Sequence, residues 1–349
     1  MPEVFVTNFN RNYTGVSSTA AGVLRQQVGK YDLRLVGQPL PGCPDPITVR
    51  EARRLSRSAP PGRPFAIWHV RRNTEMRAAI WARDVLRLPI RIVFTSAAQR
   101  RHSAFPRWLI SKMDAVIATT EAAATYVPHV RAVVPHGVDT ARFTPAPDKA
   151  SAWAATGYPG TRGIATIGRI RPEKGTDLFV ETCLRALPGL PGLPGVTALV
   201  IGKATSKHTG FLTALKEKIA AAGLTDRILF PGELSPDALA SLLPALDLCV
   251  QLPRYEGYGM APLEAMSSGT PLLASEAGYF RHFTQDSANG LIVPQEAPEE
   301  AAAALTNFLT DTPRLTAMAQ HARADALRLF SIENEANGIA GVYDALWHR

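Results

Sequence analysis

Cysteine is scarce in this sequence. Its three residues, Cys43, Cys183 and Cys249, are scattered and lack metal-ligand spacing, which excludes a disulfide framework and a thiolate metal site. No apolar run approaches the ~18 residues that a membrane-spanning helix needs. Met1 leads straight into a strand-like run, VFVTNF, so no signal peptide is expected. No Asp-x-Asp triplet occurs. The first loop, Asn10 to Ser17, holds a single glycine, Gly15, so a GxGxxG dinucleotide fingerprint is excluded as well. These absences point to a protein of a reducing, cytoplasmic compartment.

What is present is first of all an uneven charge. The 349 residues carry a net +8. Residues 1–150 hold 22 Lys and Arg against 10 Asp and Glu, a net of +12, and the remainder holds 16 against 20, a net of −4. A basic half beside a mildly acidic one implies an anionic partner for the first: nucleic acid, an anionic membrane face or an anionic glycolipid.

Strand-like and helix-like stretches alternate along the whole chain, which predicts α/β architecture with parallel sheets. VFVTNF opens the first unit, followed by the Gly15 loop and a helix from about Ser17, capped by Ser17 or Ser18. FAIWHV ends a strand near Val70 with His69, Arg71 and Arg72 at its carboxyl end. RIVFTS follows, leading to Ser96, Gln99, Arg100, Arg101 and His102. Phe105, Trp108, Leu109 and Met113 make an apolar stripe among basic residues, a pattern shared by core-facing and interfacial helices. Residues 146–161, rich in Pro, Gly and Ala, read as a linker between domains 1–145 and 162–330. PGLPGLPG, 188–195, reads as a rigid turn, and a last helix starts at a Ser331 cap within 331–349.

The richest stretch is PRYEGYGMAPLEAMSSGTPLLAS, 253–275. The apolar run LDLCVQL predicts a buried strand; Gly257 and Gly259 break the chain, and Met260 to Ser268 has helical spacing. Glu256 then lies on the loop after a parallel strand and Glu264 in the first turns of the next helix, where open α/β sheets bind ligands. GIATIGRIRPEKG repeats the theme, with Gly168 and with Arg169 and Lys174 over one crevice, a cation pair suited to a diphosphate.

Glu256 and Glu264 separated by seven residues, the Gly257-Tyr258-Gly259 after the first, the Arg169/Lys174 pair and the hinge-like Pro-His-Gly-Val-Asp resemble the retaining glycosyltransferases of the large Glu-x7-Glu family, family 4, also called glycosyl transferases group 1. The resemblance implies a GT-B fold: two doubly wound Rossmann-like domains facing a cleft, with the C-terminal helix packing back across the hinge. It implies that Glu256 lies against the donor sugar, that Glu264 binds the nucleotide ribose and that Arg169 and Lys174 stabilise the departing diphosphate. Gly15, Val16, Gly168, Lys203, Leu234, Gly257, Tyr258, Gly259, Met260 and Ala261 become donor-binding candidates, with Gly232 near the base. Many relatives carry a His directly after the RIVFTS-type strand; here its place falls to Ser96, to Gln99 or to His69 on the neighbouring strand. FTSAAQRRH and WHVRRNTEM are together similar to lipopolysaccharide core mannosyltransferases of alphaproteobacteria. The acceptor-side candidates are therefore Arg71, Arg72, Ser96, Gln99, Arg100 and Arg101.

The resulting expectation is a metal-independent transferase with a nucleotide sugar as co-substrate and no resident cofactor. It would move a hexose, mannose from GDP-mannose, to a lipopolysaccharide core or related anionic glycolipid, as a peripheral protein of the cytoplasmic membrane face without a nucleic-acid partner. A UDP-sugar transferase, a nucleotide-sugar 2-epimerase and a non-enzymatic binder of anionic polymers stand as the alternatives.

Overall fold

The computed structural model describes residues 1–12, 14–188, 195–284 and 288–348, and the core of the rigid turn expected at 188–195 lies outside them. The chain divides into two compact units, Met1–Gly137 with Phe330–Arg349, and Val138–Leu329.

Unit 1 is one six-stranded sheet with the order β2-β1-β3-β4-β5-β6, every pairing parallel. Its strands are β1 Val4–Asn8, β2 Leu33–Gly37, β3 Ala66–Val70, β4 Ile90–Ser96, β5 Ala115–Ala118 and β6 Val130–Val133. The helices α1 Gly15–Gln27, α2 Val49–Leu55, α3 Asn73–Ile80, α4 Ala104–Ile110 and α5 Glu121–Ala124 connect them. β1 and β3 are buried along their whole length, because helices cover both faces of the sheet and continuous apolar runs result.

Unit 2 adds α6 Lys149–Ala155, β7 Arg162–Ile167, α7 Thr176–Ala186, β8 Val196–Ile201, α8 Thr209–Ala221 and β9 Ile228–Gly232. It continues with α9 Pro236–Leu242, β10 Leu248–Gln251, α10 Met260–Ser267, β11 Leu272–Ser275, α11 Phe280–Thr284, β12 Gly290–Val293, α12 Pro298–Thr310 and α13 Thr312–Leu329. The sheet order is β12-β11-β10-β7-β8-β9, again all parallel. In each unit the order reverses once, between β1 and β3 and between β7 and β10. Loops after those strands frame the crevice where doubly wound sheets take ligands.

The last helix, α14 Ile332–Trp347, returns to unit 1. Ser331 caps it by accepting from the Asn334 N–H, and Ile332, Ala336, Ile339, Tyr343 and Leu346 join the same core as Val4, Leu24 and Leu35. Gly22 of α1 makes the approach possible: a Cβ there would sit 2.8 Å from Ile332.

Two expected boundaries differ. Residues 146–161 carry α6, capped by Asp148 and anchored by the buried Trp153, so a helix of unit 2 occupies the expected linker. The hinge segment itself divides at Gly137. Up to that residue the chain packs on the start of α14; a Cβ on Gly137 would lie 2.4 Å from the Ser331 carbonyl oxygen. From Val138 on it belongs to unit 2, where Arg323 donates to the Thr140, Phe143 and Ser267 carbonyls.

Candidate functional site

In unit 2, glycine backbone geometry brings the loops after β7 and β10 together. Gly175, at φ 66°, starts α7, and any Cβ there would meet the Leu252 carbonyl oxygen at 1.8 Å. Gly202 after β8 is equally constrained, at φ 142° with the Gly168 oxygen 1.8 Å from a would-be Cβ. This close approach sets Lys174 against Glu256, Nζ to Oε2 at 2.5 Å, while Oε1 accepts from the Gly257 N–H at 2.9 Å. Both side chains stay about one-fifth exposed, at 22% and 21%. Arg169 is exposed and has no hydrogen bond or ion pair among the described residues. Lys174 and Glu256 thus pair between the two loops, and Arg169 stands exposed just past the end of β7.

Gly259, at φ 112°, begins α10 and lies close against Phe280. The N–H groups of Met260 and Ala261 therefore start a helix without intrahelical acceptors. Glu264 follows one turn later. Burial pushes its carboxyl up to about 7, against the opposing pull of Arg142. Its carboxylate has no hydrogen-bond partner among the described residues, a state suited to accepting hydroxyl donors. Tyr258 is placed otherwise than expected: 4% exposed, it stacks on Tyr279 at 5.2 Å and meets Phe283 edge-on, so only its backbone faces the loop. Lys203 is exposed beyond β8 and Leu234 half-buried beyond β9.

Sequence reasoning missed Arg254. It grips Asp177 bidentately at 2.8 and 2.9 Å, Glu296 at 2.6 Å and the Pro172 carbonyl at 2.6 Å. Its own N–H, and that of Tyr255, donate to the Glu173 carbonyl. These bonds strap the β10 loop to the β7 loop and so hold the Lys174–Glu256 pair. The only signal in the sequence is an arginine two residues before a candidate carboxylate.

In unit 1 the strand ends look different. α1 starts at Gly15, two residues earlier than expected, with Thr14 at the cap position; Gly15 and the exposed Val16 are its first turn. Ser17 is not a cap, because its hydroxyl turns inward to accept from Arg72 Nη2 at 2.9 Å. Arg72 also donates to Asn8 at 3.0 Å and Glu75 at 2.9 Å. Glu75, fully buried, accepts from Thr7 and from the Phe9, Arg71 and Arg72 N–H groups. Arg72 is thereby a clasp joining β1, α1 and α3 rather than an open cation.

His69 needs the plainest correction. It is 0% exposed, with Nδ1 2.5 Å from the Tyr343 hydroxyl and Nε2 2.7 Å from Thr95 Oγ1. Burial, with Arg71 close by, holds the imidazole well below its ordinary pKa and therefore neutral. Both nitrogens are engaged in the core, where the side chain ties α14 to β3 and β4 rather than standing open at the strand end.

Three groups on adjacent strand ends remain open. Arg71 Nη1, Ser96 Oγ and Thr119 Oγ1 are buried without a hydrogen-bond partner among the described residues. They stand at the carboxyl ends of β3, β4 and β5, which are neighbours in the sheet. Gln99 is half-buried, and Arg100 and Arg101 are exposed on the loop after β4. Nearby, Glu335 of α14 binds His136 Nδ1 and the Gly137 N–H, both at 2.8 Å.

The glycosyl transferases group 1 family model matches residues 156–325. The lipopolysaccharide core biosynthesis mannosyltransferase LpsB of Rhizobium meliloti (strain 1021) is 41% identical over 348 residues, 99% of this chain and 97% of that protein. LpcC of Rhizobium leguminosarum bv. viciae, a protein of the same description, is 37% identical over 346 residues, 99% and 96% of the two chains. Among solved structures, Anabaena Alr3699/HepE in complex with UDP and glucose superimposes with a TM-score of 0.82 at 16% identity, covering 99% of this chain and 100% of that one. A likeness at that identity speaks for the fold, which is GT-B.

Proposed function

Since the chain belongs to the glycosyl transferases group 1 family and is a glycosyltransferase, we propose that it moves mannose from GDP-mannose to a hydroxyl of a lipopolysaccharide core or related anionic glycolipid, with retention at the anomeric carbon. The observation that best supports placing the chemistry in unit 2 is the Lys174–Glu256 pair between the loops after β7 and β10, with Arg169 exposed just past the end of β7. The choice of mannose and of a core acceptor rests on the likeness, over almost the whole chain, to LpsB and LpcC.

In this reading unit 2 binds the donor. The ribose hydroxyls donate to the desolvated Glu264 carboxylate, and the diphosphate lies against Arg169 and Lys174. Lys174 leaves part of its contact with Glu256 for a phosphate oxygen, which frees Glu256 to accept from a sugar hydroxyl. As the bond from C1 to the phosphate oxygen breaks, the two cations offset the charge that builds on the leaving group. The acceptor oxygen forms its bond to C1 on the same face, and its proton passes to the departing phosphate. The products are the mannoside and GDP. No carboxylate on the opposite sugar face is called upon, so no covalent intermediate is needed.

We assign acceptor recognition to unit 1, through Arg71, Ser96 and the exposed Arg100 and Arg101. No helix among the described residues is long and apolar enough to cross a membrane. Contact with an anionic membrane face is instead peripheral and electrostatic in this account, worth about 1 kcal/mol per basic side chain near the surface.

A thermal-shift screen of nucleoside diphosphates, followed by transfer from the matching mannose nucleotide, tests the reading. GDP at 100 times its dissociation constant stabilises the protein by about 2.7 kcal/mol. Stabilisation by UDP alone, with glucose rather than mannose transferred, would replace the donor assignment and leave the reaction class standing.

A further inference from the structure

Unit 1 holds a cluster of arginines apart from the residues assigned above to the transfer reaction. Between α2 and the π-helical turn Trp81–Val85, with the loop that follows it, lies an open pocket of about 890 Å³. Arg50, Arg53, Arg54, Arg57 and Arg87 line it against a single lining carboxylate, Glu51. Glu51 makes only a loose 3.5 Å contact with Arg54. Asp84, on the same turn, is taken up by Arg83 at 2.7 Å. The pocket is remote from the strand-end groups described above, since Leu86 to Leu88 lead into the amino end of β4 whereas Arg71 and Ser96 stand at carboxyl ends.

Three features set this pocket apart from a solvated basic face. The Arg53 guanidinium lies 4.3 Å over the Trp81 ring, yet its Nε is buried with no hydrogen-bond partner among the described residues. Arg87 holds φ at 52°, in the left-handed region that a non-glycine residue adopts only under constraint. The backbone between them forms a π-helical turn, a departure from regular helix that recurs at functional sites. Arg50, Arg57 and Arg87 also make no ion pair or side-chain hydrogen bond among the described residues, so their donors remain open.

The chemistry selects the ligand. Guanidinium forks match phosphate oxygens bidentately. A phosphate monoester brings close to two negative charges and three acceptor oxygens, which several converging arginines can share. The rim adds exposed Trp81, Val85 and Leu86, apolar surface that a bare ion leaves uncovered. We propose that this pocket is a binding site for a phosphate monoester attached to a larger body, either an anionic lipid headgroup or a phosphorylated saccharide.

Titration calorimetry on the full chain tests it, with inorganic phosphate, glucose 6-phosphate, monomeric dihexanoyl phosphatidic acid and dihexanoyl phosphatidylcholine as probes. Wild-type protein should bind a phosphate monoester and ignore phosphatidylcholine. The Arg53→Gln/Arg57→Gln double variant should bind about tenfold more weakly, with GDP binding and melting temperature unchanged. Preference for phosphatidic acid assigns the site to a lipid headgroup; preference for glucose 6-phosphate assigns it to a phosphorylated sugar. Arg57→Gln alone, on an exposed side chain, gives the same reading with a smaller loss should the double variant fold poorly. Equal affinity of variant and wild type, or no phosphate binding by either at millimolar concentration, overturns the proposal.

Discussion

The two units share one plan and use it in opposite ways. Both are all-parallel, doubly wound sheets, and in both polar side chains gather where the strand order reverses. In unit 1 most of those side chains satisfy each other: His69 lies between Tyr343 and Thr95, and Arg72 and Glu75 close a network with Asn8 and Ser17. In unit 2 the same positions are left wanting. Among the described residues Arg169 has no partner, Glu264 is desolvated without a donor, and Lys174 and Glu256 pair with each other. The charge divides in the reverse sense. Unit 1 carries 21 Lys and Arg against 11 Asp and Glu, net +10, and unit 2 carries 17 against 19, net −2. Net charge therefore does not single out unit 2; in the proposed reading the exposed Arg169 and the partnerless Glu264 carboxylate do.

Substitutions break this contrast in a graded way. In unit 2, Arg169→Ala or Lys174→Ala should lower kcat by about 10² or more with an unchanged unfolding transition. A loss of only a few-fold in both would dissolve the distinction between the units. Glu256→Gln should act on kcat as well, since it weakens bonds to sugar hydroxyls while keeping the shape.

Next in size come the unit 1 networks, where the effect moves from rate to stability. Arg72→Met leaves the buried Glu75 without its cation and should cost about 2–3 kcal/mol of folding free energy, read by denaturant titration. His69→Leu should cost about 1–3 kcal/mol. In each case kcat per folded molecule should stay near wild type. A collapse of kcat in His69→Leu at full stability would return His69 to the active site.

A smaller effect concerns pH. The folded Glu264 carboxyl titrates near 7, above its unfolded range of about 4.3. The native unliganded protein thus binds more protons than the unfolded chain between those values, and this group's contribution to stability falls as pH rises through that window. In the proposed reading the donor binds the charged form, so donor KM should drop as pH is raised from 6 to 8 and a proton should be released on binding near pH 6.5. Glu264→Gln should raise donor KM and flatten that profile. A steep profile surviving in the variant would assign the titration elsewhere.

The smallest expected effect lies on unit 1's surface. Raising salt should slow transfer to an acidic core acceptor several-fold while leaving a neutral acceptor nearly unaffected. Identical salt responses would detach the positive charge from acceptor choice.

Where unit 2's candidate residues lie on their strands, loops and helices was legible because those signals are local. A strand, a glycine and a charged residue within a few positions place Arg169, Lys174, Glu256 and Glu264 without knowledge of distant partners. What stayed hidden depends on long-range pairing. His69 and Tyr343 are 274 residues apart, and nothing near His69 says that a terminal helix will fill the space beside it. Glu75 reads as an ordinary helix N-terminal acid until β1 brings Thr7 and Phe9 to it. Arg254 is likewise defined by Asp177 and Glu296, on other elements. The expected linker failed for another reason: its Ala-rich stretch lacks an amphipathic period, yet the Asp148 cap and a single Trp153 were enough to make a helix.

The most direct test of the central claim is the configuration of the product. Wild-type protein given GDP-α-mannose and an acidic core acceptor should form a new mannosidic bond whose one-bond carbon–proton coupling at C1 is that of an α-linkage, and Arg169→Ala should form the same product far more slowly. A β-linked product, or an α-linked one made at the wild-type rate by Arg169→Ala, would contradict leaving-group stabilisation in unit 2 as the basis of a retaining transfer.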